Sequence, residues 1–156
     1  MRALLTKEYI DIYDMRKISR AVLKLFDDYN YKKAIVQVYE NFNSSNSLSY
    51  EHRNTKNIKS DPTYKKFAKR DRLLGYLNCF EEQMNNLKST FTDDELKVFH
   101  FTIEERMSDK ITRDKINKAD KTYYLIKKSC YVKIALKFGL IDVEEDTILT
   151  TIDLIH

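Results

Sequence analysis

Residues Ser108–Gly139, SDKITRDKINKADKTYYLIKKSCYVKIALKFG, decide the fold. Ser is a residue type that caps helix N-termini, so Ser108 predicts the start of a short helix carrying Ile111 and Ile116. Asn117-Lys118-Ala119 makes a three-residue break. In the longer helix that follows, Tyr123, Ile126, Cys130 and Ile134 recur at spacings of three, four and four and so form one apolar stripe. Gly139 stands where a left-handed C-cap is wanted. Short helix, tight break and amphipathic helix together read as a helix-turn-helix.

The same stretch concentrates the positive charge. From Arg106 to Gly139 there are ten Lys or Arg against three Asp, a net of +7, whereas the whole chain carries +4. Charge at that density on a helix pair suits a phosphate backbone, because each Lys or Arg near a phosphate releases condensed counterions. With Tyr123 and Ile126 facing the core, Lys121, Thr122, Tyr124, Leu125, Lys127 and Lys128 fall on or beside the outer face, and Lys118 lies in the break. These seven are the candidate DNA-contacting residues, with the second helix in the major groove of double-stranded DNA. A Lys-rich face can equally be a solvated one; the preceding short helix, the break and the local charge favour nucleic acid.

Working outward, Thr92-Asp93-Asp94-Glu95 is a capping box, which starts a helix bearing Leu96, Phe99, Ile103 and Met107 beneath the pair. Before it, Asp61-Pro62 opens a long helix through Phe67, Leu73, Leu74, Leu77, Phe80, Met84 and Leu87. Thr6 to Phe42 is helical in pattern, with Asp27-Asp28-Tyr29-Asn30 interrupting it, so either one kinked helix or two helices is expected. Its aromatic residues read as core filling. Asn43–Ser60 is polar and rich in Ser and Asn, as a linker is. Arg53–Arg72 carries eight Lys or Arg against Asp61 and Asp71, either a second phosphate-contacting patch or a solvated loop and helix start. The tail Leu140–His156 holds five acidic residues and no Lys or Arg, with Ile148, Ile152 and Ile155 at helical spacing; it either docks on the core or a partner, or is a frayed end. The expected layout is a helical region over 1–42, a linker over 43–60, a long helix over 61–91, the helix-turn-helix domain over 92–139 and the acidic tail over 140–156. Two Gly and one Pro in 156 residues, with 42% apolar and 33% charged, argue for an all-α globular protein.

Catalysis has little to rest on. No Gly-rich phosphate loop is possible with two glycines, and His52, His100 and His156 are isolated, without metal spacing, so no enzyme, metal or cofactor is expected. His100 reads as a half-buried packing residue. Cys79 and Cys130 have no CxxC spacing and are expected free and buried. No apolar run matches a signal peptide or a membrane span, so a cytoplasmic location is expected.

The segment TDDELKVFHFTIEERMSDKITRDKINKADKTYYLIKKSCYVKIALKFGL resembles the C-terminal part of the RinA/ArpU-like phage transcriptional regulators, whose helix-turn-helix is similar to the last region of bacterial sigma factors. SDKIT and KTYYLIKKSCYVKIA take the places of the family's first helix and recognition helix. The resemblance covers the last third of the chain closely and the rest in layout alone. It implies a sequence-specific regulator, an activator of late packaging or lysis genes in a bacterial host cell. There are two departures from the family pattern: Ala119-Asp120 stands where Ser or Thr and an Arg are usual, which weakens the contact at the helix N-terminus, and Leu125 stands where an Arg is common, which implies a distinct operator. The expected partners are double-stranded DNA, RNA polymerase and a second copy of the chain, since one helix-turn-helix reads few base pairs. The rival from another class is a helical protein–protein interaction module, an adaptor or inhibitor whose basic face meets RNA polymerase or another acidic partner.

Overall fold

The computed structural model describes the backbone of residues 2–50 and 62–141 and the side chains of 2–40 and 64–141. Every regular element among them is helical: α1 (Lys7–Ile10), α2 (Met15–Tyr50), α3 (Pro62–Lys88), α4 (Asp93–Val98), a π-helical segment (Phe99–Glu104), α5 (Asp109–Ile116) and α6 (Asp120–Lys137). The all-α expectation is met. No described helix is long and apolar enough to cross a membrane. Packing groups the described residues into two units, one of residues up to Lys24 with those from Asn86 onward, the other of Leu25–Asn85.

In the Leu25–Asn85 unit, α2 and α3 run antiparallel and close on aromatic rings. Phe80 packs edge-on against Phe26 at 5.4 Å and stacks on Tyr29 at 4.6 Å between ring centroids. The Tyr29 hydroxyl donates to Glu81 at 2.5 Å; burial first, then this bond and the nearby charge, push its pKa up to about 12. The expected interruption at Asp27–Asn30 does not occur. Asp28 accepts from Lys32 one turn on at 2.8 Å, and Tyr29 packs inward onto Phe80 and Glu81 of α3, so the helix continues through the polar run. Nor does α2 stop at Phe42: its backbone continues to Tyr50, into the polar Asn43–Ser60 stretch. Residues 51–60, the proposed Asp61 cap and the Ile148, Ile152 and Ile155 stripe lie outside the described residues. Cys79, expected buried, is exposed, because the inward stripe of α3 is Leu77, Phe80 and Met84 and position 79 falls off it.

The other unit holds the candidate residues. The helical pattern from Thr6 is divided here, since Asp14 Oδ1 accepts the backbone N–H of Arg16 at 3.0 Å and so begins α2 afresh after α1. The Thr92 capping box forms as the sequence predicts, with both reciprocal bonds made. The helix it starts is α-helical to Val98 and then widens into the π-helical segment, which brings Val98, Phe99, Thr102 and Ile103 all to the interior. Ser108 caps α5, and Asn117 ends it in the left-handed conformation, φ 55°. Ile111 is 50% exposed although Ile116 is buried; five residues on a helix turn through about 140°, so the two cannot share a face. At the far end of α6, Gly139 at φ 66° makes a Schellman cap, its N–H bonding Leu136 O at 3.3 Å and the Leu140 N–H bonding Ala135 O at 2.8 Å.

Candidate functional site

The register of α6 is set from beneath. Tyr123 and Ile126 are 0% and 1% exposed and pack with Val98 and Ile116, as the apolar stripe predicts. Two ionic contacts then fix α5 against α6. Arg113, in the last turn of α5, reaches Asp120 in the first turn of α6 at 2.9 Å and so spans the break. Asp109, in the first turn of α5, accepts from the Tyr123 hydroxyl at 2.7 Å and from Lys127 Nζ at 2.8 Å. Burial works to raise the Asp109 pKa, but these two bonds and the charges of Lys127 and Arg113 outweigh it and hold the carboxyl below its ordinary value. The Tyr123 hydroxyl is pushed well up by burial first and then by Asp109.

With that register, Lys118, Lys121 and Thr122 are exposed, and Tyr124 is 43% exposed. Lys121 makes no ion pair among the described residues, while Lys118 lies 3.5 Å from Asp94. Leu125 is half-buried, and Lys128 lies 3.8 Å from Asp11. Lys127 does not reach the outer face. Its side chain is 17% exposed, turned onto Asp109 and lying 5.3 Å from the centroid of Tyr131. Four of the seven candidates, Lys121, Tyr124, Leu125 and Lys128, line one open groove of about 610 Å³, whose other wall is Lys7 of α1 and Asp11, the residue that caps its end. Neither residue is singled out by the sequence, because α1 is too short to give a periodic signal.

Lys133 belongs to a different site. It is 9% exposed, and its Nζ donates to Glu95 at 2.8 Å, Ala3 O at 2.7 Å and Thr90 O at 3.0 Å. Glu95, 0% exposed, therefore serves the capping box and a buried ion pair at once, and its second oxygen accepts from Ser129 at 3.1 Å. Ser129 in turn accepts the Leu5 N–H at 2.8 Å, so the residues before α1 are laced onto α6. A signal for this network was present: Ser129 and Lys133 lie three and seven residues after Ile126, on the apolar stripe itself.

Two further residues that the sequence singles out, His100 and Cys130, stand apart from both sites. His100 is half-exposed and lies 3.6 Å and 2.9 Å from Glu104 and Glu105, on the surface and not in the packed interior. Cys130 is buried as expected, and burial pushes its thiol up, the state of an inert structural cysteine. No protein-family model, curated protein or solved structure matches this chain.

Proposed function

We propose that the chain is a sequence-specific DNA-binding transcriptional regulator in which α5 and α6 act as a helix-turn-helix and α6 enters the major groove by its N-terminal half. The observation that carries this reading is the division of α6. Tyr123, Ile126 and Cys130 are packed away, while Lys121, Thr122 and Tyr124 stand in solvent at the end nearest the break, with Lys118 just before them. A helix held in register from behind, presenting cationic and hydrogen-bonding side chains from its first turns, has the layout that base-edge and phosphate contacts require. The resemblance of Thr92–Leu140 to the RinA/ArpU-like phage regulators supports the same reading and extends it to activation of late packaging or lysis genes, with RNA polymerase as a further partner. A second copy of the chain is expected to supply the other half-site. Tyr31 and Val38, each 66% exposed and two turns apart on α2, offer an apolar stripe for that contact.

The test is selection of bound duplex fragments followed by titration across salt. Affinity should fall steeply from low to physiological salt, and Lys118→Glu with Lys121→Glu should abolish binding while leaving the melting temperature unchanged. Full affinity in that double variant overturns the assignment of this face. A protein blind to DNA that co-purifies with polymerase supports the adaptor instead, and sedimentation at a mass near 18.7 kDa removes the dimer.

A further inference from the structure

We infer that α1 is a second wall of the nucleic-acid interface and that Lys7 contacts a backbone phosphate beside the one met by Lys121. This rests on the reading of α6 given above and extends it to a part of the chain about 110 residues away, which the helix-turn-helix pattern does not include.

The segment before α1 is held in a defined register on α6. Ala3 O accepts from Lys133 and the Leu5 N–H donates to Ser129, so the chain advances two residues while α6 retreats four. Two extended residues span about 6.6 Å and four helical residues rise about 6 Å, so the two run antiparallel in step. Ile10, 0% exposed, anchors the far end of α1, and Asp11 then meets Lys128. The arm thus delivers α1 to the exposed half of α6, where Lys7 and Asp11 face Asp120, Lys121, Tyr124, Leu125 and Lys128 across the groove.

The charges within the groove are not equivalent. Asp120 is engaged by Arg113 and Asp11 by Lys128, whereas Lys7 and Lys121 make no ion pair among the described residues. Two ammonium groups on opposite walls, without an ion pair among the described residues and flanking Tyr124 and Leu125, suit one phosphodiester strand running along the rim. Such contacts position a protein without reading sequence, so Lys7 adds affinity and register and no base preference. The wall has a geometric consequence too. With α1 alongside Leu125 and Lys128, only the first turns of α6 can enter a groove about 12 Å wide, and α1 rides on the flanking phosphates.

The experiment uses the full chain and a duplex selected by it. Lys7→Ala should weaken binding uniformly across sequences and lower the slope of log K against log salt by about 0.9, the value for one phosphate contact. Lys121→Ala should lower the slope by a similar amount. Lys137→Ala, about 24 Å further along α6, should leave it unchanged. Asp11→Asn, which removes the anion facing Lys128, should tighten binding. If the parent chain and Lys121→Ala behave as stated while Lys7→Ala matches Lys137→Ala, α1 is no part of the interface and the assignment of α6 stands. If the parent chain binds no duplex, both fall together.

Discussion

Replacing Lys133 with Met separates the two meanings that a lysine in this segment can have. If Lys133 were one more cation on a basic helix face, its loss would leave stability unchanged and remove a phosphate contact. The structure gives it another role: Nζ makes three bonds of 2.7–3.0 Å and is the buried cation opposite Glu95, which is 0% exposed. Met fills the same channel but leaves the carboxylate without its counter-charge and Ala3 O and Thr90 O without their donor. Breaking a buried pair from one side costs about 3–5 kcal/mol, because the orphaned charge keeps its desolvation penalty. At roughly 2–4 °C per kcal/mol for a chain of this size, the melting temperature should fall on the order of 10 °C. Adding Glu95→Gln should recover part of the loss, since an amide can still accept from Thr92 and needs no cation. Thermal unfolding followed by circular dichroism reads all three proteins, and DNA titration well below the transition reads the interface. An unchanged melting temperature together with a salt slope reduced by about 0.9 would refute the buried pair and return Lys133 to the surface.

Three further outcomes follow from the same packing. Ile126→Ala, at a side chain 1% exposed, should destabilise by about 2–5 kcal/mol in chemical denaturation. Asp109 has a folded pKa below its unfolded one, so its contribution is present above the usual carboxylate pKa of about 3.9 and is lost as pH falls through the lowered value; Asp109→Asn should be less stable near neutrality and lose less on acidification, read as melting temperature against pH. Gly139→Ala meets no atom within 4 Å, so its cost is the left-handed backbone alone, about 1 kcal/mol, measurable as a shift of the denaturation midpoint.

The parts of the fold that local chemistry dictates were legible in the sequence. The Thr92–Glu95 capping box, the Ser108 cap, the break at Asn117–Ala119, the buried Tyr123, Ile126 and Cys130 stripe and the Gly139 cap each depend on residues within a turn or two of one another. What escaped depends on pairs distant in sequence. Lys127 reads as an outer lysine until Asp109, 18 residues earlier, is brought under it; Lys133 sits on the apolar stripe, but the partners that let it stay there, Glu95 and Ala3, arrive from elsewhere. The Asp27–Asn30 run reads as a break because its side chains compete for the backbone locally, yet Glu81 and Phe80 of α3 meet Tyr29 and hold it in the helix. The widening at Phe99–Glu104 has no signature in the spacing of apolar residues.

That long-range pairing also sets how basic the proposed interface is. Of the ten Lys and Arg between Arg106 and Gly139, Arg106 is bound to the carbonyls of Ile103 and Leu23, Arg113 is held by Asp120, Lys127 by Asp109 and Lys133 by Glu95. Lys115 lies over the ring of Phe101 at 5.2 Å, and Lys118 and Lys128 stand near Asp94 and Asp11. Asp11, Asp94 and Glu95 all come from outside the segment, so the +7 read along the chain overstates the charge that the folded surface presents. Near the first turns of α6 the cations within reach of a phosphate are Lys7 and Lys121, which make no ion pair among the described residues, and Lys118 and Lys128, which keep 38% and 37% of their side chains exposed beside their carboxylates. At about −0.9 per phosphate, four contacts give a slope of log K against log salt of roughly −3.6, where ten free cations would give roughly −9. A measured slope near the larger figure would mean that the ion pairs of α5 and α6 open when DNA binds, and that the lysines now turned onto carboxylates transfer to phosphates; a slope near the smaller one keeps them as the scaffold that aims Lys121.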